Sequence, residues 1–180
     1  MKQIILIATL MASVAGFSQQ NNKQYLDSVV SPALFKEVFS YDKNGNTTMK
    51  ARYKWENNAW SGSWKYEHAY NADNNLVLGI DYSWDTIKND WINSYKTEYT
   101  FYKIENQTEE INYSWDAVKN EWIPNDRYSH SYDINGNLLG DLYYSWDAEK
   151  NEWLIFFSRQ CLYDINGNLI YKEEYSRGGE

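Results

Sequence analysis

YDINGNLLGDLYYSWDAEKNEW, residues 132–153, carries a turn signal near each end and an alternating segment between them. Asn135-Gly136 is a hairpin signal, because tight turns need a positive φ that Gly and Asn tolerate. Between the turns, Leu138, Leu142, Tyr144 and Trp146 share one parity, while Asp141 and Ser145 take the other. Period two means a strand with one buried and one wetter face. The return segment carries Trp153, Ile155, Phe157, Cys161 and Tyr163 on one parity, although Leu154, Phe156 and Leu162 blur the other. Helical spacing fits neither segment.

The pattern recurs along the chain. Tyr41, Tyr70, Phe101, Tyr132 and Tyr163 are separated by 29, 31, 31 and 31 residues. Twelve residues after each comes Tyr53, Tyr82, Tyr113, Tyr144 or Tyr175. Two further on stand Trp55, Trp84, Trp115 and Trp146, and the frame breaks at Arg177. A second tryptophan closes each of the first four tips: Trp60, Trp91, Trp122 and Trp153. These bracketing pairs are expected to oppose each other across the hairpin. The third repeat returns with Trp122, Tyr128, His130 and Tyr132 on one parity. The expectation is therefore a single aromatic face shared by all hairpins.

Short turns between consecutive strands make antiparallel neighbours. The fold expected is all-β: an antiparallel up-and-down meander of about ten strands, Phe35 to Tyr175, from five hairpin repeats of ~31 residues. A sheet this wide twists and needs cover for its apolar face. It closes as a barrel, stays open as a rolled sheet, or folds over as a sandwich, with curling favoured by the regular repeat. Residues 31–180 form the repeat domain. Residues 19–30 lie outside the frame, as a flexible lead-in or as cover for the first edge.

The DxNGN turns admit two chemistries. Asp133, Asn135 and Gly136, like Asp164, Asn166 and Gly167, faintly resemble a calcium loop. A calcium site needs six or more oxygens, carboxylates prominent among them. The Asp slot reads Asp42, Asn71, Tyr102, Asp133, Asp164, so two copies lack the charge. These six residues are read as structural turn residues, with a distorted loop expected at Glu105. In the other turn, Asp85, Asp116 and Asp147 accept from nearby amides, and Asn89, Asn120 and Asn151 take left-handed geometry.

Residues 1–18, with Lys2, an apolar run from Ile4 to Phe17, and small Gly16 and Ser18, read as a secretory signal peptide. The run is short for a membrane helix. The mature protein is expected to be secreted, periplasmic or extracellular, with no membrane span. Cys161 is the single cysteine, so no intrachain disulfide forms and packing must stabilise the fold. The 32 aromatics suit that, since each buries a large area. A net charge of −8 disfavours nucleic acid and anionic lipid.

YDKNGN at 41–46 and YDINGNL at 132–138 and 163–169 resemble the tyrosine–aspartate repeats of bacterial secreted and cell-surface proteins, including toxin shells of the RHS type. The YSWD…NEW half resembles repeats of short secreted proteins of Gram-negative bacteria. The resemblance covers about residues 31–176 and implies a β-repeat. The period here is longer than in the toxin shells and tryptophans are added, so toxin delivery is not implied.

Candidate chemistry is sparse. His68 and His130 share a slot with Tyr99 and Cys161, two strands and so about 9.5 Å apart, too far to share a zinc ion. Cys161 reads as a small buried hydrophobe. No catalytic, cofactor-binding or metal residues are assigned, and no nucleophile motif is present. The function expected is a non-enzymatic structural or protein-interaction role, acting through an exposed sheet edge. The alternative is a glycan or surface-polymer binding module using rings outside the core parity, for which Tyr102 and Tyr143 are the candidates.

Overall fold

The computed structural model describes residues 14–20, 23–31, 34–102 and 106–178. Residues 1–13 of the expected leader at 1–18, and the expected distortion at Glu105, lie outside them. Twelve strands follow one another: β1 (Val14–Gln20), β2 (Lys23–Ser31), β3 (Phe35–Tyr41), β4 (Thr47–Glu56), β5 (Ala59–Tyr70), β6 (Leu76–Asp85), β7 (Asp90–Tyr102), β8 (Gln107–Asp116), β9 (Glu121–Tyr132), β10 (Leu138–Asp147), β11 (Glu152–Tyr163) and β12 (Leu169–Ser176). They form one sheet in chain order. The ten strands of the repeat are β3 to β12. The sheet is not closed, since β1 and β12 are its two ends, so the barrel is excluded and the rolled sheet remains compatible.

β2 pairs antiparallel with β3, the first strand of the repeat, from Ser28↔Val38 to Ser31↔Phe35. Val14–Gln20 pairs with β2 in turn. A cut after Ser18 would leave only Gln19 and Gln20 of β1.

Both turns form as their residues dictate. At the DxNGN corner, Asp133 Oδ1 accepts the N–H groups of Asn135 and Asn137, each at 2.8 Å, while Oδ2 accepts the Asn137 side-chain amide at 2.8 Å. Gly136 turns at φ 85° and Gly167 at φ 80°, open to solvent, where a side chain would be strained. Asp164 repeats these bonds. Asn71 replaces the aspartate by accepting from Asp73 and Asn75 at 3.0 Å. At the other turn, Asp116 accepts from Val118 and Lys119, and Asn120 sits at φ 57°. The shortened first copy turns on Asn57 and Asn58, φ 51° and 62°, as a two-residue hairpin requires.

The bracketing tryptophans oppose as expected. Trp115↔Trp122 and Trp146↔Trp153 are cross-strand partners with ring centroids 5.0 Å apart, edge to face. Trp55–Trp60 and Trp84–Trp91 repeat the contact. Such pairs contribute about 0.5–1.5 kcal/mol beyond burial.

The single aromatic face is corrected. Past three of the tips the register slips by one residue: Asn112 pairs Asp126 while Tyr113 pairs Pro124, leaving Asn125 extra. Ser63 and Phe156 are extra at the same place in β5 and β11. An extra residue reverses the parity downstream. Trp122 and Pro124 therefore share the tip face with Tyr113 and Trp115, whereas Tyr128 and His130 fall on the opposite face. A second slip follows the DxNGN corners, at Thr48, Leu139 and Ile170, so Leu138 is not on the face of Leu142. Rings occupy both faces of the sheet. Among the described residues the buried apolar side chains are only Ala51 and Cys161.

The chain forms two compact units. One holds His68 and the residues before it with Asp81–Asn93; the other holds Ala69–Ile80 with the residues from Ser94 on. In the first, Tyr53 meets Trp84 and Trp91 edge to face, and Gly62 lies beneath both indoles: an added Cβ would stand 2.3 Å from Trp84 and 2.8 Å from Trp91.

Candidate functional site

On the tip face, each frame tyrosine but the last lies under a cation from the neighbouring strand. Lys36 stands over Tyr53 at 4.8 Å, Lys65 over Tyr82 at 4.1 Å, Lys96 over Tyr113 at 3.8 Å, and Arg127 over Tyr144 at 5.0 Å. Each cation precedes its tyrosine by 17 residues, on the same 29- and 31-residue spacing as the aromatics. Sequence reading passed over this row because lysines on strands read as solvated; their spacing alone carried the signal.

Two copies add a carboxylate. Glu98 accepts the Tyr113 hydroxyl on Oε2 at 2.8 Å and the Lys96 ammonium on Oε1 at 2.6 Å. Glu67 does the same with Tyr82 at 2.8 Å and Lys65 at 2.7 Å. Burial alone would raise both carboxyls, but bonds from the lysine and the tyrosine outweigh it and hold them below the ordinary value. Burial and the bonded carboxylate push Tyr113 up to about 12 and Tyr82 upward too. At Tyr144, Arg127 pairs with buried Glu109, which also accepts from Tyr102 Oη at 3.1 Å.

In the last hairpin the frame departs from itself. Opposite Tyr175 stands Ser158, where the earlier copies have Lys or Arg. Ser129 occupies the slot of Glu67 and Glu98, and Gly140 that of Met49, Leu78 and Glu109. These smaller residues leave a groove of about 610 Å³ over β8 to β12, floored by Ser129, Gly140, Ser158 and Gln160 and walled by Glu173 and Tyr175. The Tyr175 side of it is open, the residue being 56% exposed.

The opposite face holds a charged cluster beside this groove. Asp141, 3% exposed, takes His130 Nδ1 at 2.7 Å and Arg159 Nη1 at 3.1 Å; Arg159 also bonds Glu174 at 2.8 Å. The sequence-selected residues are dispersed. Tyr102 is bonded to Glu109 on the tip face. Tyr143 packs against Tyr128 and Phe157 on the other, lining a smaller groove of about 390 Å³ with Asp126 and Phe156. His68 stacks on Tyr66, its pKa lowered by burial against the pull of Asp81. Cys161 is buried. Asp133, Asn135, Gly136, Asp164, Asn166 and Gly167 form the corners, apart from both grooves. Among the described residues no three His, Cys, Asp or Glu side chains could hold a metal ion. No helix there is long and apolar enough to cross a membrane.

No family model and no curated protein matches the chain. Among solved structures it is similar to a protein of unknown function from Bacteroides fragilis, at 19% identity and a TM-score of 0.55, over 69% of this chain and 89% of that one. It is also similar to two DUF3836 family proteins. One is from Bacteroides vulgatus, at 22% identity, TM-score 0.41, over 49% of this chain and 89% of that one. The other is from Parabacteroides distasonis, at 20%, 0.39, 49% and 87%. The first likeness extends the β architecture to another bacterial protein and speaks to fold alone.

Proposed function

We propose that the protein is a secreted, non-enzymatic β-repeat protein that binds another protein by accepting a strand at β12. The observation that carries this is the state of β12: it ends the sheet order, pairs with β11, and has all eight residues exposed. An unpaired edge offers alternate N–H and C=O groups to an extended segment. The resemblance to bacterial tyrosine–aspartate repeats belongs with this reading, as does the leader at residues 1–18. The aspartates of the corners and tips accept amides of their own turns, which suits scaffold rather than catalysis.

The test is a proline at Lys172 and, separately, at Glu173. Alternate residues of an edge strand donate outward, so one of the two variants loses an outward N–H while keeping its bonds to β11. That variant is expected to melt like the parent and to lose self-association or partner binding in analytical ultracentrifugation. Association unchanged in both variants refutes strand addition. Mass spectrometry of the secreted protein is expected to find a mature N-terminus at Gln19.

A further inference from the structure

We infer that the tip face of β12, with the adjoining groove, is a receptor for a lysine side chain of a partner protein. The chain itself supplies the template. Four frame tyrosines lie under a cation of the neighbouring strand, and in two of those copies a glutamate holds a tyrosine hydroxyl on one oxygen and the ammonium on the other. The fifth tyrosine, Tyr175, faces Ser158, which has no charge. Around it the remaining parts are present. Glu173, two residues along the same face, accepts the Tyr171 hydroxyl on Oε2 at 2.9 Å. Glu173 stands on the tyrosine's own strand, in the slot of Ile111 and Leu142 and opposite Gln160, which fills the slot of Glu67 and Glu98; its Oε1 offers an ammonium the same kind of pairing from the other strand.

Tyr171 and Tyr175 are 46% and 56% exposed, so their rings flank the carboxylate from an accessible surface. A cation over a tyrosine face within about 6 Å is attracted by the ring, and the attraction grows as water is excluded. The groove over Ser158, Ser129 and Gly140 has room for the stem of an incoming lysine. Arg159 also lines it, but its guanidinium is held on the opposite face by Asp141 and Glu174. Net charge agrees, since at −8 the chain attracts a basic partner. This inference rests on the face of β12 and not on its edge, so it stands whether or not the edge accepts a strand.

The experiment titrates the full chain by calorimetry at low salt with a decapeptide of alternating lysine and threonine, and with the same peptide acetylated on every lysine. Binding of the first and none of the second is expected. Ser158→Lys restores the chain's own cation and is expected to weaken binding about tenfold, and Tyr175→Ala by a similar factor. Glu173→Gln is expected to weaken it several-fold, while Glu152→Gln, an equal change of charge on the exposed tip of β11, leaves it unaltered. Ser158→Lys copies a residue three other repeats carry, so its fold, checked by melting, is expected to hold. Absence of binding, equal binding of the acetylated peptide, or parent-like affinity in Ser158→Lys overturns the inference. Equal losses in Glu152→Gln and Glu173→Gln overturn it too, because they reveal diffuse attraction to an acidic surface.

Discussion

At the corner 133–137 the bonds that set the bend run between residues at most four apart, whereas the tip at Trp115–Trp122 depends on two rings brought together from separate strands. Both bends use an aspartate to accept amides and a residue at positive φ to reverse the chain. They differ in what they hold. The corner is bent by its own residues, with one side-chain bond from Asn106 to the Asp133 carbonyl, and it tolerates exchange: Asn71 and Asn74 do the work of Asp and Gly in the second copy, with Asn74 at φ 69°. The tip is a packing device that joins strands, and in the first unit the indoles of one hairpin also press on Tyr53 and Gly62 of the preceding one. Local bonding survives variation, while packing across strands holds the four tip pairs at centroid distances of 5.0–5.3 Å.

The sharpest way to break that contrast is Trp122→Ala. Loss of a half-buried indole and its edge-to-face partner is expected to cost about 2–3 kcal/mol in urea denaturation, below the figure for a fully buried ring. A loss under half a kcal/mol would make the tip as dispensable as a corner. Next comes Gly62→Ala, where the added methyl meets Trp84 and Trp91 and overpacking is expected to cost about 1–3 kcal/mol. Alanine at this site has ordinary strand geometry, so a neutral result would mean that the indoles do not lie against the backbone there.

The smallest effect is expected at the corners. The carboxyls of Asp42, Asp133 and Asp164 are held below their ordinary value of 3.8, first by the side-chain amides of Asn46, Asn137 and Asn168 and then by backbone N–H groups. A depressed carboxyl stabilises the fold above its unfolded pKa, and that contribution is lost as pH falls through the lower folded value. Stability is therefore expected to hold down to about pH 4 and to decline below it. Asp133→Asn copies the Asn71 corner and is expected to leave the neutral-pH midpoint almost unmoved. Its acid limb should be shallower by the proton linkage of about one group, read from urea midpoints between pH 6 and pH 2. A large loss at neutral pH would show that the corner needs charge.

Much of the architecture was legible in the chain. The 31-residue grid located the strands from β3 to β12, and NGN and the bracketing tryptophans located the turns. These are short-range facts: a turn residue states its backbone preference, and strand alternation is visible over a few positions. Parity counting failed where a strand carries one residue too many. Pro124 inside β9 was the available clue, because proline is tolerated in a strand at a bulge or an edge. Leu138-Leu139, two apolar neighbours just after a corner, was another. The candidate site was less legible, since its content lies in a comparison between copies: Ser158, Ser129 and Gly140 mean something only beside Lys96, Glu98 and Glu109 in the same slots.

The sequence by itself determined an antiparallel meander with its bends and its opposed tryptophans, because those rest on backbone preferences and on spacing within one hairpin. Tertiary structure decided which rings share a face, that the sheet is not closed, and that an uncapped tyrosine borders a groove. Each of those depends on register between strands, where a single bulged residue reverses everything downstream.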